Sequence, residues 1–271
     1  MAGTLRFFLF ILPGFFPLML AGCGTPTPPV VKPIDAAQYR TFLVASPLLP
    51  FWVEGSVQFS FRDQQESGTM ILQAVSGPAF RIRLKAPLTG ALALEMRFDP
   101  TTLVVVDYVN ETYSAGKNTP ANRLHLFQMD LAPEEFQILL TGRVDKAAFL
   151  AGGGLLSGPE ARIATYRDGD TLHTFRLDQY GLPVQWIRER KGSPTMRVEF
   201  RQYQEWPTAR GEVLRLPRKM RVYQEALRSR LALGIRRFRP GASGGTLPAP
   251  EDLPESVRKF RRAPLPEDGA P

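Results

Sequence analysis

The feature that most restricts what this chain can fold into is a period-two alternation of apolar and polar residues, repeated from one turn signal to the next. Val53, Gly55, Val57, Phe59 and Phe61 alternate with Glu54, Ser56, Gln58, Ser60 and Arg62. Phe80, Ile82 and Leu84 alternate with Arg81, Arg83 and Lys85, and Leu92, Leu94, Met96 and Phe98 share one parity. Met196, Val198 and Phe200, then Leu231, Leu233 and Ile235, repeat the pattern. Successive side chains of a strand point to opposite faces, so such runs make antiparallel strands with one buried and one wet face. Gly77-Pro78, Asp99-Pro100, Asp168-Gly169, Tyr180-Gly181 and Lys191-Gly192 mark turns between them. These signals predict a mostly β, α+β chain with about 11 strands in hairpin order.

Helical signals interrupt the meander in its middle. The stretch from Leu131 to Gly142 has Pro133 at a first-turn position, two acids behind it, a terminal glycine, and Phe136, Leu139 and Leu140 on one face. Asp145 to Ala151 predicts a second short helix, ended by Gly152-Gly153-Gly154. Ahead of the strands, Ala36, Tyr39, Phe42 and Leu43 fall at helical spacing within Asp35–Val44. An open, curved sheet with short helices across its concave face satisfies both periodicities.

The two ends are unlike this body. An apolar run from Leu5 carries one charge, Arg6, is broken by Pro13, Gly14 and Pro17, and closes on Leu20-Ala21-Gly22-Cys23. A spanning helix needs about 20 unbroken apolar residues. The run therefore reads as a secretory signal over residues 1–22, and its last four residues resemble a bacterial lipobox, with Cys23 as the acylated residue. Cys23 is the one cysteine, so the mature chain forms no internal disulfide. Residues 23–33 follow as a proline-rich tether, an extended spacer between lipid and body. The body then spans residues 34–240. Residues 241–271, rich in Pro, Gly and basic groups, have too few apolar residues to offset chain entropy and read as a disordered tail.

The net charge of +8 favours anionic headgroups or acidic partners, and export argues against nucleic acid. Gly241-Ala242-Ser243-Gly244-Gly245 fits the G-x-S-x-G pattern but stands in the tail, where the strand and helix of a nucleophile elbow are missing. The two histidines read as sheet residues, His125 in a strand Arg123–Phe127 and His173 in a strand Thr171–Leu177. No nucleophile–base pair or metal-ligand cluster is visible, so the expectation is a protein that is not an enzyme and carries no cofactor and no metal.

The order of lipobox, tether, short helix, strands, Pro-Leu turn, more strands and Leu-x-Pro helix resembles the LolB outer-membrane lipoprotein receptors. The most specific pieces are Phe80–Gly90 followed by the strand Leu92–Phe98, and Leu131-x-Pro133 through Leu139-Leu140-Thr141-Gly142. The family's turn projects a leucine that helps deliver cargo into the membrane. The matching residues here are Pro87, Leu88, Thr89 and Gly90, with glycine one position later than in the family pattern. The resemblance implies an open antiparallel half-barrel with its helices as a lid, anchored in the bacterial outer membrane and facing the periplasm. It further implies a monomer that accepts acylated lipoproteins from a periplasmic LolA-like carrier and inserts them into the membrane. A carrier of this kind must shelter alkyl chains from water, at about 0.8 kcal/mol per CH₂. Candidate lining residues are Phe59, Phe61, Met70, Leu72, Leu94, Met96, Phe136, Leu139, Leu140, Phe175, Trp186 and Phe200. The same residues would equally form an ordinary dry core. In that case the protein would be a lipid-binding or scaffold lipoprotein for envelope assembly, without lipoprotein cargo.

Overall fold

The computed structural model describes residues 42–44, 50–62, 64–74, 79–158, 162–208, 211, 213–241 and 253–266. The signal, Cys23, the tether and most of the expected helix over Asp35–Val44 lie outside the described residues. The last two residues of that expected helix, Leu43–Val44, are a short strand, β1.

Before the helices come β2 (Phe51–Phe61), β3 (Gln64–Ala74), β4 (Phe80–Lys85), β5 (Leu92–Phe98), β6 (Thr102–Asp107) and β7 (Thr112–Lys117). Then follow α1 (Pro120–Phe127), α2 (Pro133–Thr141), β8 (Val144–Asp145) and α3 (Lys146–Ala151). The chain continues through β9 (Leu155–Ser157), β10 (Ile163–Asp168), β11 (Thr171–Leu177), β12 (Pro183–Arg190), β13 (Ser193–Pro207), β14 (Val213–Gln224) and β15 (Ser229–Pro240), and ends in β16 (Arg261–Arg262). Fourteen strands form one sheet in the order 16-7-6-5-4-3-2-15-14-13-12-11-10-9. It is joined through its middle by β15 against β2, from Ser229 opposite Phe61 to Pro240 opposite Phe51. The sheet curves but does not close into a barrel. The strand count exceeds the expected 11 because β1, β8, β9 and β16 have only two or three residues, too few for alternation to show.

Each helix begins on a local signal. The Thr119 hydroxyl accepts from the Asn122 N–H, with Pro120 in the first turn of α1. In α2 the Glu135 carboxylate accepts from the Ala132 N–H, and Gly142 ends the helix at φ +65. A Cβ at Gly142 would lie 2.9 Å from the Tyr203 hydroxyl, so glycine is required there on two counts. The Asp145 carboxylate accepts from the Ala148 N–H at the start of α3. His125 therefore stands in α1 and not in the strand expected over Arg123–Phe127, because the Thr119-Pro120 start signal overrides a short apolar alternation.

The helices are fastened to the sheet by ion pairs. In the α1–α2 link, Asp130 accepts from Arg123 at 2.8 Å and from Arg190 at 2.9 Å. Arg188 of β12 donates to the Asp130 carbonyl at 2.8 Å and to Glu135 at 2.6 Å. Arg188 is 2 % exposed. Removing one partner of a buried pair leaves an uncompensated charge, at a cost of about 3–5 kcal/mol, so this cluster sets where the helices lie.

The reading of the tail as disordered does not hold for residues 253–266. Val257 is buried against Val104 and Val106 on the outer face of β6, with Leu253 and Phe260 beside it. The Phe260 ring meets Tyr108 edge-on at 5.9 Å. β16 pairs in parallel with β7, Ala263 N–H donates to the Tyr113 carbonyl, and the Ser114 hydroxyl donates to the Ala263 carbonyl. A few apolar residues suffice because they meet a strand face that is already apolar. Under this strap Glu95 receives Arg81 at 2.9 Å and Arg97 at 2.7 Å. Burial pushes its carboxyl up, but the hydrogen bonds and charges of the two arginines outweigh it and hold the group below the usual carboxylate value.

Candidate functional site

The concave face carries an apolar cavity of about 250 Å³. Its floor is built by one parity of the central strands: Val57 and Phe59 of β2, Met70 of β3, Ile82 and Leu84 of β4, Leu94, Met96 and Phe98 of β5, and Leu231 and Leu233 of β15. Its roof is Leu126 and Phe127 of α1, Met129 and Leu131 of the link, and Phe136 of α2. Glu66, Arg123 and Gln128 are its polar lining residues. Phe136 is held in place by edge-on contacts with Phe80 and Phe98, each at 5.7 Å. Such a lining has no nucleophile–base pair; it can exclude water from alkyl groups and repack around them through Met70, Met96 and Met129.

The candidate lining residues divide. Phe59, Met70, Leu94, Met96 and Phe136 line this cavity. Phe61 lines a neighbouring hollow with Arg62, Leu124 and Arg228. Leu72, Leu139, Leu140, Phe175, Trp186 and Phe200 do not line it; they are packed in the core, each at most 3 % exposed. Phe42 explains much of that: its ring packs 5.0 Å from Phe175 and 6.4 Å from Phe149 of α3. In the same region His173 is buried between Tyr166, at 4.7 Å, and Trp186, whose indole N–H donates to its Nδ1 at 3.1 Å. Burial, with Arg188 and Arg190 adding to it, lowers its pKa to about 4.

The roof residues Leu126, Phe127 and Met129 escape a reading of the sequence that places Arg123–Phe127 in a strand, and the Thr119-Pro120 pair is the signal that finds them. Val57, Ile82, Leu84, Leu231 and Leu233 lie on the alternation already recognised.

The hairpin between β4 and β5 is a second feature. The Ala86 N–H donates to the Ala91 carbonyl, the Gly90 N–H to the Ala86 carbonyl, and the Thr89 hydroxyl accepts from the Ala91 N–H. Gly90 takes φ +66 to complete the turn. Pro87, Leu88, Thr89 and Gly90 are all exposed, and Leu88 at the tip is 99 % exposed. Among the described residues no helix is long and apolar enough to cross a membrane.

No family model matches the sequence, and no curated protein does. Among solved structures, the chain is similar to a DUF1329 family protein from Desulfovibrio piger, at 11 % identity over 79 % of this chain and 95 % of that one, with a TM-score of 0.47. It is similar to a LolA superfamily protein from Nitrosomonas europaea, at 10 % identity over 78 % and 92 %, with a TM-score of 0.45. A domain from Vibrio parahaemolyticus assigned to outer membrane lipoprotein sorting is similar at 8 % identity over 78 % and 91 %, with a TM-score of 0.43. All three likenesses are of backbone course alone, at 8 to 11 % identity.

Proposed function

We propose that the protein is a lipid-anchored, non-covalent acyl-chain binder that takes acylated lipoproteins from a periplasmic carrier and releases them into the outer membrane. The apolar cavity roofed by α1, the link and α2 carries this reading. Alkyl groups entering it leave water at about 0.8 kcal/mol per CH₂, and the lining supplies nothing for covalent chemistry. The β4–β5 hairpin fits the delivery step. A leucine that costs exposure in water gains about 1.5–3 kcal/mol on entering hydrocarbon, and Leu88 has no packing contact to lose on the way.

The test uses the full chain with Cys23→Ser, mixed with a purified periplasmic carrier loaded with triacylated lipoprotein. Cargo is expected to co-elute with this protein. A Leu88→Glu variant is expected to accept cargo with unchanged thermal stability but to fail in passing it to vesicles. Cargo that stays on the carrier while the protein is folded would overturn the receptor role, and normal delivery by Leu88→Glu would overturn the role of the turn. A second reading, lipid binding without lipoprotein cargo, is favoured by the cavity's size, which lies below the roughly 300–1,000 Å³ of small-molecule sites. It predicts binding of single-chain lipids and no transfer from the carrier.

A further inference from the structure

A hollow of about 470 Å³, chemically unlike the cavity, opens where the β2–β3 and β14–β15 hairpins end side by side. Four arginines line it: Arg62, Arg197, Arg228 and Arg230. Among its described lining residues the single carboxylate is Glu225, 82 % exposed and 3.8 Å from Arg197. The lining is strongly cationic and has unpaired polar donors packed behind it. Ser229, 1 % exposed, is among the lining residues, and behind the surface of the hollow its buried hydroxyl and the buried Arg197 Nε have no hydrogen-bond partner. Buried donors of this kind are ordinarily satisfied. Arg197 and Arg230, the cross-strand neighbours of Tyr223 on either side, lie against its ring at 4.8 and 5.9 Å, which holds both guanidiniums at the hollow. Arg62 and Arg228 hold left-handed backbone, φ +53 and +51, where glycine is cheaper, and the Arg62 N–H donates to the Arg228 carbonyl at 3.3 Å.

The position of this hollow gives the source of the anion. Arg62 and Arg228 also line the neighbouring hollow with Phe61 and Gln128, and Gln128 lines the apolar cavity. We infer that the arginine hollow is a subsite for a phosphate group, supplied by the headgroup of an acyl lipid whose chain lies in the cavity. The subsite rests on the acyl-binding reading for the lipid and on the arginines alone for the phosphate.

Three probes separate these parts, applied to the full chain with Cys23→Ser: dioctanoyl phosphatidate, dioctanoylglycerol and inorganic phosphate, each titrated calorimetrically. Phosphatidate is expected to bind at least about tenfold tighter than dioctanoylglycerol, with inorganic phosphate far weaker than either. In the double variant Arg62→Gly/Arg228→Gly the two lipids should bind alike, while the thermal midpoint holds or rises because glycine suits both backbones. Equal binding of the two lipids by the unsubstituted protein, or a preference surviving in the double variant, would overturn the subsite. Inorganic phosphate binding as tightly as phosphatidate would overturn the lipid as its source. Arginine-dependent phosphate binding with no affinity for either lipid would support the anion subsite and overturn the acyl cavity.

Discussion

Two regions of the concave face are made of the same alternating apolar residues and are filled to different extents. Beneath β10–β14, Phe175, Trp186, Val198, Phe200 and Met220 are packed to 3 % exposure or less. Beneath β2–β5 and β15, Met70, Ile82 and Leu233 are as deeply buried, but Phe59, Leu84, Leu94, Met96 and Leu231 remain half-buried around the cavity. The difference lies in what covers them. Phe42 and Phe149 of α3 push their rings into the first region, whereas α1 and its link span the second without filling it. A sheet of uniform chemistry thus becomes core or container according to the helices laid on it.

Matched truncations on the two sides give the largest effect. Phe175→Ala removes a ring that packs against Phe42, Tyr166 and Trp186, and is expected to cost about 3–5 kcal/mol. Met96→Ala, facing space that is already open, should cost roughly 1–2 kcal/mol, since fewer contacts are lost. Urea unfolding at pH 7 measures both, and equal costs would mean that the two regions are packed alike.

Acid should separate the regions next. His173 lies on the filled side, and its pKa of about 4 stands below the 6.5 of an unfolded histidine. Between those values the unfolded chain binds a proton that the folded chain refuses. Its contribution is therefore complete above about pH 6.5 and is lost as the pH falls to about 4, by up to about 3 kcal/mol. His173→Gln keeps an acceptor for the Trp186 indole but does not titrate. Unfolding free energies measured at pH 7 and pH 4 should fall further for the unsubstituted protein than for this variant, and identical losses would exclude His173 as the acid-sensitive group.

How far the sequence reaches follows the same division. Alternation identifies β2, β4, β5, β13 and β15 and the parity that turns inward, because a strand's side-chain period is local. It cannot separate Phe59 from Phe200, since each is an inward aromatic and only the distant Phe42 and α3 determine which is covered. The roof was hidden because five residues, Arg123–Phe127, suit a short strand until Thr119-Pro120 is weighed. The strap was hidden in the low-complexity composition of the tail, yet its partner is visible: Leu103-Val104-Val105-Val106 is apolar at both parities, as a strand covered on both faces must be. Leu88 was legible as a turn residue from its proline and glycine neighbours, while its almost complete exposure is a property of the folded hairpin.

The finest distinction is between losing the container and losing the fold. Leu94 lies on the cavity floor opposite Leu84 of the neighbouring strand, and its half-buried side chain borders open space. Leu94→Trp adds bulk where volume is free, so overpacking strain should be small and stability should shift by no more than about 1 kcal/mol. The same bulk takes up room that an acyl chain would use. Binding of a fluorescent fatty acid is therefore expected to weaken at least about tenfold while the urea midpoint scarcely moves. A variant that unfolds would show that the second region is as tightly filled as the first. One that folds and binds normally would place the acyl chain somewhere other than beneath α1.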